Sequence, residues 1–247
     1  MFPYLRGEIY RLLCKKSLYL YFGAFALAYL LLMFIRMGSS GAEQMLTDAE
    51  TLFGFLPPVI GGYLFAAIYT DDLNARNLAT LIGFGMNKAQ IILSKLLLMA
   101  LFGTVMVGLV PLFMYAAYAV LGTPASFAIL GEVSVWGLKA LMEILAFASL
   151  SAAVVYGLQR ATFGMVTYLL LALGIVSQLL EALLNWDMVS GLLPGLSRHL
   201  MAGILLRTLV GILTGESVLL PASEYVVYVA VTVVLSSLAF HKKELEF

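Results

Sequence analysis

The sequence predicts an all-α polytopic membrane protein, and three observations lead to this fold class. Of the 247 residues, 62% are hydrophobic and only 11% are charged. A soluble domain carries charge on roughly 25% of its residues, so this chain has too few charges to cover a surface in water. The mean hydropathy is +1.01, which also excludes intrinsic disorder. Finally, the apolar residues form long uncharged runs separated by short charged segments.

A membrane-crossing helix needs about 17–25 predominantly apolar residues. Six segments are at least this long, and the third, at 32 residues, is longer than one crossing needs and ends at Gly122-Thr123-Pro124. The predicted spans are 17–35, 52–70, 90–121, 136–158, 162–184 and 224–240. A seventh apolar segment, 192–214, is interrupted by Arg198, His199 and Arg207. It is predicted to re-enter the outer leaflet without crossing.

The positive charges predict the orientation of these spans, because cytoplasmic loops are enriched in lysine and arginine. With the N-terminus inside, ten of the fourteen basic residues lie on the cytoplasmic side. They are Arg6, Arg11, Lys15, Lys16, Arg76, Lys88, Lys95, Arg160, Lys242 and Lys243. Both termini are therefore predicted to be cytoplasmic, in a single transmembrane domain that covers 1–247.

The N-terminal segment 4–16 predicts an amphipathic helix in the cytoplasmic interface. At 100° per residue, Leu5, Ile9, Leu12 and Leu13 share one face, and Glu8, Arg11 and Lys15 share the other. Lys16 flanks the apolar stripe, where a long side chain can extend its charge into water. The alternative is a basic flank that only orients the first span.

The cytoplasmic loop 74–88 predicts a short helix, a glycine turn and a new helix. Leu78, Leu81 and Ile82 follow helical spacing, and Asn74 is placed to cap them. Segment 83–85 (GFG) ends this helix, and Asn87 with Gln90 has the spacing of a capping box. Such a helix suits docking into a partner's groove. It is equally suited to lying on the lipid surface.

Two acids fall inside predicted spans, where ionisable residues usually face protein or water. Glu143 lies about two turns into the fourth span, and Lys139 is one helical turn away and can pair with it. Glu181 lies about one turn from the outer end of the fifth span, at a possible outer vestibule. Pro57-Pro58, Gly61-Gly62 and Pro111 predict kinks in the second and third spans.

The sequence lacks the motifs of several common enzyme classes. No lysine follows a glycine, so there is no phosphate-binding P-loop. Neither a Gly-x-Ser-x-Gly elbow nor a His-Glu-x-x-His zinc motif occurs. With one cysteine, Cys14, the chain cannot form an intrachain disulfide. With only two histidines, His199 and His241, a metal site would need acidic residues for most of its ligands. The formal net charge is zero, so the chain has no overall positive potential that would attract nucleic acid. We therefore expect no catalytic residue, metal or cofactor in this chain.

Four segments resemble the permease subunits of ABC exporters of the type-2 class. Segment 8–17 (EIYRLLCKKS) is similar to the elbow helix of that family. Segments 78–88 (LATLIGFGMNK) and 91–97 (IILSKLL) are similar to its coupling helix and the span that follows. The basic tail 240–245 (FHKKEL) is also typical. The family's Gly-Thr pair after the second span is absent, because 72–77 reads DLNARN. In this the chain resembles small Gram-positive permeases for antimicrobial peptides, including lantibiotic immunity.

The resemblance implies a plasma-membrane complex of two permease subunits, identical or homologous, with two separate ATPase subunits beneath them. ATP and magnesium would bind in the ATPase subunits. The residues implied to dock the ATPase are Arg76, Leu78, Leu81, Ile82, Phe84 and Lys88. An antimicrobial peptide, drug or lipid-linked molecule would leave toward a vestibule near Glu143 and Glu181.

Two other functions fit the same residues. A secondary transporter would use Glu143 or Glu181 to carry protons. A membrane scaffold would transport nothing and would hold a partner through loop 74–88. The three functions differ in what must accompany the chain: an ATPase, a proton gradient or another complex.

Overall fold

The structure is a computed structural model that describes residues 2–35, 42–70, 81–83, 85–120, 127–186 and 196–242. These residues are helical or form turns between helices, and none of them lies in a strand. The long helices are α1 (Phe2–Leu13), α2 (Lys16–Ile35), α3 (42–70), α4 (Lys88–Val120), α5 (Phe127–Leu158), α6 (Ala161–Ala172), α7 (Ile175–Leu184), α8 (Met201–Thr214) and α9 (Leu219–Lys242). The all-α prediction is confirmed for this part of the chain.

Four of the described helical segments are long and apolar enough to cross a membrane: Leu46–Thr70, Lys88–Val120, Ile129–Leu158 and Leu219–His241. The pair α6 and α7 makes a fifth if the two are one bent span. The chain is thus a helical membrane protein, and the arrangement of six spans with both termini inside stays a prediction.

Helix α5 lies at the centre of the bundle, in contact with α3, α4, α6, α8 and α9. Hydroxyl groups join it to α9, because Thr232 Oγ1 donates to Ser149 Oγ over 2.8 Å and Tyr225 Oη donates to the Met142 carbonyl over 2.9 Å. Inside a membrane such bonds hold helices together where the hydrophobic effect does not. These two bonds link α5 to α9. We call the linked pair the frame of the bundle.

Helix α3 contains two wide, π-helical turns, at Pro57–Gly61 and Ala66–Thr70. Prolines have no N–H, so Pro57 and Pro58 cannot supply the hydrogen bonds of ordinary α-turns. Tyr168 of α6 donates its hydroxyl to the carbonyl of Pro57 over 3.1 Å. The predicted disturbance at the proline pair thus takes the form of a wide turn that binds a side chain from α6.

The sequence predicts a single span over 162–184, but this segment is not one straight helix. It is bent by 62° between α6 and α7. Gly174 lies at the bend with φ +73°, a left-handed conformation that glycine adopts without steric cost. Because left-handed residues end helices, this one glycine separates the two halves.

The predicted outer segment 192–214 is described from residue 196 onward. It forms a short 3₁₀ turn, Leu196–His199, and α8, whose 14 residues extend about 21 Å and are too short to cross about 30 Å of hydrocarbon. Arg207 pairs with Glu224 at the start of α9, and His199 Nδ1 lies 3.3 Å from the same carboxylate. These contacts fasten α8 to α9 at one end of the bundle.

The orientation has a direct chemical test, because Cys14 is the single cysteine and is exposed at the end of α1. With the N-terminus inside, a membrane-impermeant maleimide should label Cys14 in permeabilised cells and not in intact cells. A Cys14→Ser chain that carries a new cysteine at Ser217 is the control, since exposed Ser217 lies beyond α8 and should react in intact cells. Equal labelling of Cys14 in both preparations would contradict the orientation.

Candidate functional site

Four helices meet at the end of the bundle that carries α1. They are α1, the last turn of α3, the first turns of α4 and the last turn of α9. Three basic side chains join them: Arg11, Lys88 and Lys95. We call this cluster, together with the carbonyl groups of Ala67, Ile68 and Phe240, the basal joint. Its members come from distant parts of the sequence, and four of them, Ala67, Ile68, Lys88 and Lys95, lie shortly before or after residues 71–87.

Lys95 is the centre of the basal joint. Its side chain is only 1% exposed, and its Nζ donates to the Ile68 carbonyl over 2.8 Å. The same Nζ lies 5.3 Å from the ring centre of Tyr69, within the range of a cation–π interaction. A cation at the C-terminal end of a helix is stabilised by the helix dipole. Lys95 therefore fixes the start of α4 to the end of α3.

Arg11 repeats this arrangement from α1. Its Nη2 donates to the carbonyl of Ala67 over 3.2 Å, beside the carbonyl that Lys95 binds. Glu8 orients the guanidinium through bonds of 3.0 Å to Nε and 2.6 Å to Nη2. Both carbonyls lie in the wide turn Ala66–Thr70. The end of α3 is thus held by one cation from α1 and another from α4.

Lys88 makes the third connection. Its Nζ donates to the Phe240 carbonyl over 2.9 Å and lies 5.0 Å from the centre of the Phe240 ring. Phe240 is near the end of α9 and is buried. The first turn of α4 is therefore fastened to the end of α9, and α9 belongs to the frame around α5.

Aromatic rings extend from the basal joint toward the centre of the bundle. Phe65 stacks on Tyr69 at 4.7 Å and on Tyr168 at 5.0 Å between ring centres. Tyr156 lies 6.4 Å from Tyr69 and 4.8 Å from Phe240. All five rings are buried. A displacement at the joint would meet closely packed side chains, which move as a unit rather than deform.

The turn that precedes α4 has the geometry expected from the sequence. Gly85 adopts φ +83°, its N–H bonds to the carbonyl of Ile82 over 2.9 Å, and the Met86 N–H bonds to the carbonyl of Leu81 over 3.1 Å. This pair of bonds is the Schellman motif that ends a helix at a left-handed glycine. The Asn87 N–H then bonds to Gln90 Oε1 over 3.3 Å, one half of the predicted capping box.

The residues proposed to dock an ATPase separate into two groups. Leu81 and Ile82 are half-buried and pack on the hydrophobic core, and Lys88 binds α9 as described above. Arg76, Leu78 and Phe84 lie outside the described residues. Of the predicted elbow, Leu5 and Leu12 are buried, Lys15 is half-buried and Lys16 is exposed.

The two acids expected at an outer vestibule lie on different helices, α5 and α7. Lys139 Nζ lies 3.1 Å from Glu143 Oε1, which confirms the pairing expected from their spacing. Because α5 begins at Phe127 rather than near Trp136, Glu143 lies near the middle of its helix. Glu181 is half-buried on α7, beyond the bend at Gly174.

Sequence reasoning misses two buried charged residues. By its position in the sequence, Lys95 is grouped with the cytoplasmic charges. Hydropathy places Asp48 outside the second span, but α3 begins at Ala42 and Asp48 is only 7% exposed. Among the described residues, no group of three or more histidine, cysteine, aspartate or glutamate side chains is placed to hold a metal ion. Comparison with known proteins adds no relationship, since no family model, curated protein or solved structure matches this chain.

Proposed function

We propose that this chain is the membrane-spanning permease subunit of an ATP-driven ABC exporter. The basal joint is the observation that carries the proposal. It fastens together the two helix ends on either side of residues 71–87, where most of the predicted coupling loop 74–88 lies, and it ties them to α1 and α9. Force applied to the loop by a partner would therefore move several membrane helices at once.

The proposed partner is an ATPase, because the chain has no P-loop with which to bind nucleotide phosphates. Two permease subunits and two ATPase subunits would form the complex, in the plasma membrane, with ATP and magnesium bound in the ATPase. The transported molecule would be amphipathic or lipophilic, in keeping with the apolar helices. An antimicrobial peptide, as in the family subgroup that the sequence resembles, is our proposed substrate.

Purification in mild detergent from native membranes tests this function. We expect a chain of roughly 25–35 kDa with a P-loop motif to co-purify, together with ATPase activity. The same preparation shows whether one or two permease species are present. Recovery of the chain alone, from membranes in which it is correctly inserted, would contradict the proposal.

A substitution in the loop should release this partner. Leu81→Asp places a charge on the half-buried turn beside loop 71–80 and is expected to reduce the co-purified ATPase at least about tenfold, the loss of roughly 1.4 kcal/mol of binding. Ala89→Asp is the matched control, because Ala89 is exposed on the first turn of α4. Equal ATPase recovery with both variants, at equal amounts of inserted protein, would exclude docking at this turn.

A further inference from the structure

A cavity of about 540 Å³ lies between α2 and α3, away from the basal joint. Its wall consists mostly of apolar side chains from both helices, including Phe25 and Leu32 on α2 and Leu52 and Phe55 on α3. Sites for small molecules in proteins have volumes of roughly 300–1,000 Å³ and similar apolar walls. Apolar cavities stay free of water and take up apolar molecules. The cavity therefore has the size and lining of a site for an apolar ligand.

The cavity is open at the surface of the bundle. Ala24 and Ala28 lie one turn apart in the α2 wall, and both are small and exposed. Closer to the basal joint, Tyr21 in the same wall stacks on Tyr63 of α3, with 4.5 Å between ring centres. This stack brings the two helices together at one end of the cavity. A ligand would therefore enter from the surrounding bilayer, past the two alanines.

Two polar side chains in the wall already bond within the protein. Tyr118 of α4 donates to Oδ2 of Asp48 over 2.9 Å. Thr51 donates its hydroxyl to the carbonyl of Thr47 in the same helix, also over 2.9 Å. We assign neither side chain to a ligand. The remaining wall is apolar, which disfavours a charged ligand because the charge would lose its hydration there.

Tyr29 offers the polar contact of this cavity. It is only 3% exposed, and its hydroxyl is buried without a hydrogen-bond partner among the described residues. Burial of a hydroxyl without a partner costs free energy, and such atoms are rare in folded proteins. The Tyr29 side chain is part of the cavity wall and packs against Phe113, with 6.0 Å between ring centres. A ligand that accepts a hydrogen bond from this hydroxyl would remove the cost.

The depth of Tyr29 distinguishes such a ligand from an ordinary bilayer lipid. Helix α2 corresponds to the predicted first span, and Tyr29 lies about 20 Å along its axis from Lys16 and about 9 Å from Ile35. This position is within the hydrocarbon layer, whereas the ester groups of bilayer lipids lie at its interface with water. A lipid tail at this depth has no acceptor for the hydroxyl. A smaller molecule that enters the bilayer whole can bring one.

We infer that the cavity between α2 and α3 binds an uncharged, drug-sized apolar molecule that has a carbonyl group, to which the Tyr29 hydroxyl donates a hydrogen bond. A carbonyl oxygen accepts hydrogen bonds without a charge, so it enters an apolar site at a lower cost than a carboxylate or an ammonium group. The apolar body of the ligand lies along Phe25 and Phe55. The inference does not rest on the proposed function.

The binding experiment uses purified protein in nanodiscs of phosphatidylcholine, with protein-free nanodiscs as the background. Tritiated methyl dodecanoate is the probe, in a scintillation proximity assay at neutral pH. We expect saturable binding above the background. Tetradecane has the same chain length without a carbonyl and should compete at least about threefold less effectively than the unlabelled ester. Dodecanoate and dodecylamine carry charges and should compete at least about tenfold less effectively.

Variants locate the site. Tyr29→Phe should weaken binding of the ester about threefold or more and leave competition by tetradecane unchanged, because only the ester uses the hydroxyl. Ala28→Trp fills the cavity from the α2 side and should abolish saturable binding. Leu27→Trp is the matched control, because Leu27 is 60% exposed and does not line the cavity. It introduces the same side chain one position away and should bind the ester as the wild type does.

Three results would overturn the inference. Equal saturable binding by the wild type and Ala28→Trp would show that the probe binds elsewhere. An unchanged affinity of Tyr29→Phe for the ester would show that the hydroxyl makes no bond to the ligand. Competition by dodecylamine equal to that of the ester would show that the site does not select uncharged molecules. None of these results depends on an ATPase partner, so failure here is distinguishable from failure of the proposed function.

Discussion

Replacement of Gly61 by alanine is expected to destabilise the protein, although alanine is the better helix former. A Cβ atom at this position would lie 2.1 Å from the hydroxyl oxygen of Tyr168 and 2.9 Å from Cγ1 of Ile144. Both neighbours are fully buried, so neither moves without disturbing α5 or α6. Overpacking of this kind costs about 1–3 kcal/mol. Displacement of Tyr168 would also break its bond to the Pro57 carbonyl.

The measurement is thermal unfolding in detergent, where a loss of this size should lower the midpoint by roughly 2–12 °C. Gly54→Ala is the control, because Gly54 is in the same helix and a Cβ atom added there would meet no atom within 4 Å. Removing the Tyr168 hydroxyl in a Gly61→Ala/Tyr168→Phe chain should recover part of the loss, since the nearest contact is gone. Identical midpoints for the Gly61→Ala and Gly54→Ala proteins would disprove the close packing.

Replacement of Lys95 by methionine is the second change expected to have a large effect, on both stability and transport. Methionine has a similar length but cannot donate to the Ile68 carbonyl, and a hydrogen bond from a charged group is worth about 1.5–3 kcal/mol. The loss is expected to loosen the end of α3 from the start of α4. In the proposed complex, ATP hydrolysis should continue while transport falls, because the loop would no longer move both helices together.

Stability and transport are measured separately for this variant. Lys16→Met removes the same charge from an exposed position and should change neither. Arg11→Met should weaken the same helix end through the Ala67 carbonyl. Because the two cations bind neighbouring carbonyls, the effects of the two substitutions should not add. If the stability losses of Lys95→Met and Arg11→Met simply add, or if Lys95→Met is as stable as the wild type, the two cations do not act together in the basal joint.

The elements that sequence reasoning predicts well are those determined by neighbouring residues. The amphipathic pattern of 4–16 corresponds to α1, whose Leu5 and Leu12 are buried. The glycine turn at Gly85 and the Asn87–Gln90 cap are local hydrogen-bond patterns, and both are present. The Lys139–Glu143 pair is separated by one turn of one helix, so its spacing is sufficient to predict it.

The features that sequence reasoning misses depend on distant parts of the chain. Lys95 is buried because the carbonyl of Ile68 and the ring of Tyr69 lie beside it. No pattern around residue 95 distinguishes it from a lysine at a membrane surface. Asp48 is expected outside the membrane, since hydropathy alone starts the second span after the last charge. Its partner Tyr118 is 70 positions away. The bend at Gly174 has a local signal, but a single glycine also occurs in straight membrane helices.

The wide turns of α3 have a consequence for insertions and deletions in this chain. A π-turn closes its hydrogen bond one residue later than an α-turn, so each one contains a residue that an ordinary helix would not need. Deleting one residue within Ala66–Thr70 would turn this segment into an ordinary α-turn. The residues of α3 before and after it would keep their orientation toward the rest of the bundle. The same deletion in α4 would rotate everything beyond it by about 100°. We therefore expect relatives of this protein to differ in length by one residue at these turns and to keep α4 constant.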